Sequence, residues 1–440
     1  MKKHHNPKIA QTLAIAIKHH QCGETVHAVA LYKKVLRRVP THPDALHYLG
    51  LAYHHLGDSK LAIKHIERAI AVSPNYFDAL NNLGNIFKEI GLLDRALEVY
   101  NNLIALAPQH GDARVNIAIV LNEKHCYKQA FEHLQKAIEI NPEHPQAHYN
   151  LGKIYKQLEQ LALALASFRQ SMRLDPINHE AVKNTAQILY DLGRGDEALK
   201  ILNQFACDYP NDPVAKHMLA SFSGKNVPKR ADNLYVKQTF DAFSASFDSS
   251  LARLQYKAPQ LISNCLANTL NEKKSTVDIL DIGCGTGLCG ELVKPLATTL
   301  IGVDLSPKML EKARQLKIYD ELIEAELSDY MSTCQLRFDY VICADTFVYF
   351  GTLESALAAA FKILRTDGYL IFTTEQNTLN DQDYQLQLHG RYCHSKDYLY
   401  RSLIDAGYEV GSISEIVPRI EDGAPVDGFL VSAKKNGCLE

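Results

Sequence analysis

The first half of the chain carries a hydrophobic pattern that repeats every 34 residues. In each period, apolar positions recur at helical spacing in two stretches separated by a turn, which predicts a pair of helices. Two residue types keep this phase through six cycles. They are the prolines at 40, 74, 108, 142, 176 and 210 and the alanines at 28, 62, 96, 130, 164 and 198. The pattern predicts a helical array over residues 9–212, followed by a closing helix at 213–222.

A small residue recurs in this pattern where two helices are expected to cross closely. The positions are Gly50, Gly84, Ala118 and Gly152, and an apolar or aromatic residue follows three places after each. Together with the period, these positions resemble the tetratricopeptide repeat. The resemblance covers six units, of which the first and the sixth match least well, as is expected at the ends of an array.

Tetratricopeptide arrays curve into a superhelix whose concave groove usually holds another polypeptide. The resemblance therefore implies that residues 1–222 capture a protein or peptide partner. Polar residues of the first helices would line an open groove, where asparagines can bind the backbone of an extended ligand. These residues are Asn81, Asn82, Asn85, Lys88, Asn116, Asn150 and Lys153. Two alternatives stay open: the helices pack only against the second domain or another copy of the chain, and the polar residues form solvated faces.

From about residue 277 the pattern changes to strands that alternate with helices. The strands are predicted at 277–282, 299–303, 322–325, 338–344, 369–374, 408–416 and 429–433. Such alternation predicts a parallel sheet with helices on both faces. Between array and sheet, residues 223–276 carry Phe240, Phe243 and Phe247 at helical spacing, which indicates a helical lid or linker. The chain thus divides into 1–222, 223–276 and 277–440.

A glycine turn follows the first predicted strand. The strand reaches Asp281, and Gly283, Gly285 and Gly287 then alternate with other residues. A second strand ends on Asp304, 21 residues after Gly283. A glycine turn with an acid about 20 residues later is typical of a nucleoside site, where the acid binds the ribose hydroxyls.

The spacing of the turn separates two classes of cofactor. A dinucleotide fingerprint requires a third glycine at position 288, which is Leu288. An anionic pyrophosphate would also be repelled by Asp281, whereas a ligand with a cationic amine would be attracted. S-adenosylmethionine carries that amine and no phosphate. The segment resembles the class I S-adenosylmethionine-dependent methyltransferases.

Two further segments extend this resemblance to the whole chain. Residues 344–351 and 390–395, with the repeats ahead of them, look like bacterial methyltransferases that carry N-terminal tetratricopeptide repeats. The resemblance implies an α-solenoid followed by a Rossmann-like, seven-stranded sheet whose last strand runs antiparallel. It also implies S-adenosyl-L-methionine as the cofactor.

Ligands of such sheets bind at the carboxyl ends of the strands, and this rule assigns the cofactor residues. Asp281 and the three glycines would hold the methionine portion, Asp304 the ribose, and Met309 the adenine ring. The remaining cofactor residues are Glu326 and Leu327 at the adenine edge and Asp345 at the methionine portion. For Met309 and Glu326 a purely structural role is an equal alternative.

Three residues are candidates for handling the methyl acceptor. His394 has a suitable pKa for a general base, although it is equally placed to partner the helix that begins near Ser395. Arg391 would orient an anionic acceptor. Tyr349 would line the path to the methyl group and donate to an acceptor oxygen, with a structural role as its alternative. Motifs for methylating a base amine or a pyrimidine carbon are absent from the sequence after the fourth strand.

Composition excludes several other classes of protein. The 440 residues are 46% hydrophobic and 22% charged with a net charge of −3, so nucleic acid is not an expected partner. No apolar run reaches the ~20 residues that span a bilayer. The ten cysteines are scattered, which predicts a reducing, cytoplasmic setting and no metal centre.

The charges and histidines divide unevenly between the two halves. Residues 1–222 contain 25 basic and 21 acidic residues, against 22 and 29 in the rest. Seventeen of the 19 histidines also lie before residue 223, and the sequence offers no reason for this. Adjacent histidines such as His54 and His55 face different ways on a helix, which disfavours a shared metal ion.

The sequence predicts a methyltransferase whose repeat array recruits a partner or substrate, and whose acceptor is a small molecule or a protein. The main alternative is a scaffold that binds the cofactor without catalysing. A third hypothesis is a peptide-binding adaptor with the duties of a secreted effector. The acceptor atom and the oligomeric state do not follow from the sequence.

Overall fold

The computed structural model describes residues 7–270, 277–378, 382–421 and 423–436. The chain divides into two compact units, Met1–Leu192 and Gly193–Glu440. Parts of all three predicted segments, 1–222, 223–276 and 277–440, lie outside the described residues.

The first unit is entirely helical in its described part. From α2 onwards, helices begin every 34 residues in two interleaved series, as the sequence predicts. They are α1 (Pro7–Gln21), α2 (Thr25–Arg38), α3 (Pro43–His55), α4 (Ser59–Val72), α5 (Phe77–Glu89), α6 (Leu93–Leu106), α7 (Gly111–Glu123), α8 (Tyr127–Ile140), α9 (Pro145–Gln157), α10 (Leu161–Leu174) and α11 (His179–Asp191).

The small residues of the repeats lie where paired helices touch, as predicted. A methyl group added at Gly84 would come within 2.4 Å of the Tyr100 ring, and one at Gly152 within 2.8 Å of Phe168. Both aromatic residues are fully buried. Glycine therefore lets the first helix of a repeat approach a large side chain of the second.

Part of the histidine excess has a structural explanation. His42, His110 and His144 precede α3, α7 and α9, and each imidazole accepts a hydrogen bond from the backbone N–H three residues later. This bond satisfies one of the free donors at the helix start. The histidines thus cap helices at one fixed position of the 34-residue period.

The second unit combines helices with one mixed sheet. Its helices are α12 (Gly195–Asp208), α13 (Pro213–Ser223), α14 (Asn233–Phe243), α15 (Phe247–Arg253), α16 (Ala258–Thr269), α17 (Leu288–Val293), α18 (Pro307–Leu316), α19 (Leu327–Thr333), α20 (Glu354–Ile363) and α21 (Lys396–Asp405). Its strands are β1 (Val277–Ile282), β2 (Ala297–Asp304), β3 (Glu321–Glu324), β4 (Phe338–Cys343), β5 (Leu364–Gln376), β6 (Tyr384–Leu386), β7 (Tyr392–His394), β8 (Tyr408–Glu421) and β9 (Ala424–Lys435). Short 3₁₀ turns occupy Ser244–Ser246, Lys294–Leu296 and Phe347–Tyr349.

The sheet runs in the order β3, β2, β1, β4, β5, and these five strands are parallel. On the far side of β5, β9 pairs antiparallel, and β8 pairs antiparallel with β9. The antiparallel direction of the last strand is confirmed. The described part also contains β6 and β7, a small hairpin that extends the end of β5 and that the sequence analysis did not predict.

The order of the strands creates the place for a ligand. β1 and β4 are neighbours, whereas the chain passes from β1 to β2 on the other side, so the strand order reverses at β1. Buried apolar residues fill both faces, among them Leu280 of β1 and Phe372 of β5 on one face and Ile279 of β1 on the other. Ligands of open α/β sheets bind outside the carboxyl ends at such a reversal.

Candidate active site

The glycine turn lies at the carboxyl end of β1. Gly283, Gly285 and Gly287 all have positive φ angles, at 71°, 54° and 97°. A Cβ atom at Gly283 would lie 1.9 Å from the Thr346 hydroxyl, on the loop that follows β4. Only glycine allows this conformation together with this close approach. The turn therefore presents backbone rather than side chains to the end of the sheet.

Asp281 lies beneath the turn and is fully buried. Its Oδ2 accepts a 2.7 Å hydrogen bond from the Tyr319 hydroxyl. Its Oδ1 has no hydrogen-bond partner among the described residues. Burial raises the pKa of Asp281 to about 7. A cationic amine placed at Oδ1 would complete its hydrogen bonds and favour the carboxylate.

Tyr319 is a site residue that the sequence analysis missed. A Cβ at Gly290 would meet its hydroxyl oxygen at 2.2 Å, and one at Gly302 would meet its ring at 2.9 Å. Two glycines outside the turn thus make room for the ring that supports Asp281. Their positions in a helix and a strand interior, where glycine is unfavourable, were the available signal.

Asp304 ends β2 beside the same turn. Its Oδ2 accepts from the backbone N–H of Gly285 at 2.9 Å, and its Oδ1 from that of Ser306 at 2.8 Å. The residue is partly exposed, so a ligand can reach it. Desolvation raises the pKa of Asp304 to about 6, although these backbone hydrogen bonds act to lower it. The structure therefore brings together Asp281, Asp304 and the glycine turn.

The predicted adenine residues lie on the next elements. Ser306 caps α18 by accepting from the N–H of Met309 at 3.1 Å, and Met309 is fully buried. Glu326 caps α19 and also pairs with Arg230 across 2.6 Å. Leu327 is buried at the start of that helix. These contacts give Met309 and Glu326 a structural role in the protein as it stands.

Helices α14 and α15 contact the two turns that surround the site. The Ser306 hydroxyl donates to Asp241 of α14, and the Thr286 hydroxyl donates to Asp248 of α15, both across 2.6 Å. The ring of Phe240 meets that of Tyr349 edge to face, with centroids 5.5 Å apart. We call α14 and α15, with the turn between them, the lid.

A cluster of buried and half-buried charged side chains occupies the ends of β4, β5 and β8. We call Asp345, Glu375, Arg391, Arg419 and Glu421 the ionic cluster. Arg419 donates to Asp345 and Glu421, each across 2.7 Å, and also pairs with Glu375. Arg391 pairs with Glu375 and Glu421, each across 2.6 Å. Two guanidinium groups therefore link three carboxylates.

The cluster sets the ionisation of its members. Burial acts to raise the pKa of Glu375 and Glu421, but the nearby guanidinium groups lower it by more. Arg391 has the largest lowering effect on both residues. The pKa of Glu375 falls below its ordinary value, and that of Glu421 falls to about 2. Asp345 also receives a 2.7 Å bond from the Thr373 hydroxyl. Glu375 and Glu421 are therefore held in the ionised form.

Two of the predicted acceptor residues have other contacts than expected. Arg391 is bound to two carboxylates of the protein, so it differs from the free clamp predicted for an anionic acceptor. His394 is fully buried; its Nδ1 lies 2.6 Å from the Thr374 hydroxyl and its Nε2 lies 3.1 Å from the Gly351 carbonyl oxygen. Burial lowers the pKa of His394 to about 4. These contacts give His394 a structural position in place of the predicted general base.

Tyr349 is the predicted acceptor residue that remains beside the site. It lies between the lid and the ionic cluster, and its backbone carbonyl accepts from the N–H of Ala231 at 2.8 Å. Burial raises the pKa of the Tyr349 phenol, against the opposing effect of Arg391. The phenol therefore stays protonated at neutral pH and can donate a hydrogen bond.

Comparison with known protein families assigns a class to both parts of the chain. Residues 280–372 match the family model of a methyltransferase domain. Tetratricopeptide repeat models match residues 43–76, 77–110, 120–159 and 157–222. The fold and these matches define a tetratricopeptide repeat array followed by a methyltransferase domain.

Individual curated relatives each match a part of this chain. Methyltransferase-like protein 27 of Homo sapiens is 30% identical over 158 residues, 36% of this chain and 63% of that protein. The malonyl-acyl-carrier-protein O-methyltransferase of Priestia megaterium is 28% identical over 167 residues, 37% of this chain and 58% of the relative. The chain thus spans less than two thirds of these relatives.

Among solved structures, the PilF protein of Pseudomonas aeruginosa matches with a TM-score of 0.41 and 18% identity. The match covers 48% of this chain and 96% of that one.

In the described part of the chain, no helix is both long enough and apolar enough to cross a membrane.

Proposed function

We propose that the protein is an S-adenosyl-L-methionine-dependent methyltransferase. The single observation that carries the proposal is the buried Oδ1 of Asp281, which finds no hydrogen-bond donor within the described residues although it adjoins the glycine turn. A buried acceptor without a partner costs ~1–3 kcal/mol, which a ligand amine would recover. The methyltransferase match over residues 280–372 supports the same cofactor.

The residues present fit this cofactor. The backbone of Gly283, Gly285 and Gly287 would border its methionine portion, with Asp281 at the amine and Asp304 at the ribose. Leu327 and Met309 would border the adenine after small movements of buried side chains. The bound cofactor supplies a methyl group already activated on a sulfonium sulfur.

The rest of the chemistry is positioning. The acceptor must be held in line at about 3–3.5 Å from the methyl carbon, which can contribute several kcal/mol to the barrier reduction. The lid would exclude water from this space. Tyr349 would donate a hydrogen bond to the acceptor. The ionic cluster, through Asp345, would favour positive charge next to the methionine portion.

The acceptor is proposed to be a small molecule or a protein, methylated on oxygen. The relative from Priestia megaterium is named an O-methyltransferase, as is the ubiquinone biosynthesis O-methyltransferase of Thiobacillus denitrificans, 33% identical over 103 residues. The pairing of Arg391 with protein carboxylates favours a neutral acceptor over an anionic one.

The array is proposed to recruit a protein partner or substrate. This proposal keeps residues 1–222 as the array, 223–276 as lid and linker, and 277–440 as the catalytic domain. Some predicted groove residues already have hydrogen-bond partners within the protein. The Asn116 amide donates to Asn81 at 3.0 Å, and Asn82 bonds His47 at 3.0 Å. We also propose a cytoplasmic location, supported by the free state of the cysteines in the described part.

Transfer of a labelled methyl group tests this function. The full chain is incubated with methyl-labelled S-adenosylmethionine and fractionated lysate, beside Asp304→Ala and the exposed control Asp397→Asn. We expect labelled product from the wild type and the control, and less than about a tenth of it from Asp304→Ala. Cofactor binding without labelled product in any fraction would favour the non-catalytic scaffold.

A further inference from the structure

Helix α13 contacts a loop that leads into the ionic cluster. The 34-residue pattern predicts this helix as the end of the array, yet it lies in the same compact unit as the sheet. Its His217 is 4% exposed, and its Nε2 donates to the carbonyl oxygen of Gly390 across 2.8 Å. We call residues 387–391 the hinge loop.

The hinge loop lies against a stacked pair of rings. The imidazole of His217 stacks on Tyr235 of α14, with centroids 4.0 Å apart and planes 24° apart. Gly390 has a φ of +92°, and a Cβ there would lie 2.9 Å from the Tyr235 hydroxyl and 3.5 Å from His217. Side chains of two helices therefore fix the position of this one peptide.

The loop is also closed on itself. The N–H of Gln387 donates to the Arg391 carbonyl, and that of Gly390 donates to the Gln387 carbonyl, both across 2.8 Å. A displacement of Gly390 would therefore move the whole turn rather than a single residue.

The residues on either side of Gly390 enter the ionic cluster. Arg391 donates through Nε to Oε1 of Glu375 at 2.6 Å, while Nε2 of His389 lies 3.3 Å from Oε2 of the same residue. Both oxygens of Glu375, at the end of β5, are thus contacted by the hinge loop. Burial, with the nearby Arg391, lowers the pKa of His389 to about 4, so it is neutral at pH 7.

We propose that His217 is a positioning residue for the acceptor side of the site. Its bond to Gly390 holds the hinge loop in place. His389 and Arg391 of this loop then keep Glu375 fixed. Glu375 thereby stays beside Asp345 and Arg419. It acts only through these residues. The proposal rests on the proposed function solely in treating this end of the sheet as the acceptor side.

The proposal is tested by hydrogen exchange at the Arg391 side chain in the full chain. With ¹⁵Nε-labelled arginine, the Arg391 Nε–H signal is assigned by its loss in Arg391→Lys. We expect His217→Ala to speed its exchange at least tenfold, while backbone amides of β1 and β2 keep their wild-type rates. His217→Gln, whose amide can still donate to Gly390, should restore slow exchange. The exposed neighbour provides the control Lys216→Ala, which should leave the rate unchanged.

A second variant and a binding measurement complete the test. If His217→Ala does not fold, Gly390→Ala displaces the loop from the other side and should give the same fast exchange. Affinity for S-adenosylmethionine should stay within about twofold, because the cofactor residues lie on other strands. Unchanged Arg391 exchange in His217→Ala or Gly390→Ala, or no restoration by glutamine, overturns the proposal. Because this readout needs no methyl transfer, it stands apart from failure of the proposed function.

Discussion

The Tyr319 hydroxyl donates to one oxygen of the buried Asp281, across 2.7 Å, and leaves the other oxygen without a partner in the described structure. The pair therefore holds an acceptor ready for a ligand donor. Tyr319→Phe would leave both carboxyl oxygens unsatisfied. We expect the free energy of unfolding to fall by about 1–3 kcal/mol, measured by urea denaturation.

Tyr400 provides the matched control for this substitution. It is 53% exposed, so Tyr400→Phe should change stability by less than about 0.5 kcal/mol. Equal effects of the two substitutions would contradict the supporting role of Tyr319.

Cofactor affinity should depend on pH because of two acids at the site, Asp281 and Asp304. Burial raises the pKa of Asp281 to about 7 and that of Asp304 to about 6. Both groups are therefore partly protonated near pH 6, and a cationic ligand favours their ionised forms. Binding should release protons, and affinity should rise from pH 5.5 to pH 8 and then level off. Calorimetry in buffers of different ionisation enthalpy measures the released protons.

The stability of the free protein should change with pH in the opposite direction to the affinity. An acid whose folded pKa is raised favours folding in its neutral form, so stability from these two groups is present below about pH 4. It is lost as the pH rises to about 7.

Asp281→Asn should flatten the pH dependence of binding. An affinity that is constant from pH 5.5 to pH 8 would contradict this account.

The lid should govern how fast the cofactor leaves. Thr286→Val removes the hydroxyl that donates to Asp248. A hydrogen bond to a charged group contributes about 1.5 kcal/mol or more, so dissociation should become roughly tenfold faster. The chain lacks tryptophan, so Phe243→Trp in the lid provides a single fluorescent reporter for stopped-flow measurement.

Ser249→Ala is the control for the lid. In the described part of the chain, its hydroxyl donates only to the carbonyl oxygen of Ser246, which also lies in the lid. The dissociation rate should match the wild type there. A similar rate in Thr286→Val would show that the Asp248 bond does not hold the lid.

Arg419 should be essential to the fold around the site. Arg419→Met would leave three carboxylates, the buried Glu375 and the half-buried Asp345 and Glu421, with one guanidinium among them. Removing one partner of a buried charge pair costs about 3–5 kcal/mol. Urea denaturation should show a loss of this size, whereas Arg401→Met, at an exposed pair, should cost less than about 1 kcal/mol. A loss below 1 kcal/mol in Arg419→Met would mean that the cluster is not a unit.

The sequence was most informative where the site depends on local structure. The glycine turn and Asp304 follow one another within a single strand–helix–strand segment. Their residue types and their spacing were enough to predict a nucleoside site. The 34-residue period likewise predicted helix positions, because each repeat packs mainly on its neighbours. The contact of Asp281 with the half-buried Tyr319 depended on two glycines that lie 17 or more residues from that tyrosine.

The parts that the sequence did not predict are assembled from distant segments. Glu375, Arg391 and Arg419 come from β5, the hinge loop and β8, and no local pattern connects them. His394 was predicted as a base from its residue type and its place in the insertion near the strand ends, whereas its burial depends on packing that only the folded protein defines. The β6–β7 hairpin was missed because strands of three residues carry too little alternation to detect.

The central claim is tested most directly by calorimetric titration of the full chain with S-adenosylmethionine. We predict one site per chain with a dissociation constant in about the micromolar range. Asp304→Ala should weaken binding at least about tenfold, and Asp397→Asn should leave it unchanged. Absence of binding heat at several temperatures, or equal affinity of Asp304→Ala and the wild type, would contradict the claim.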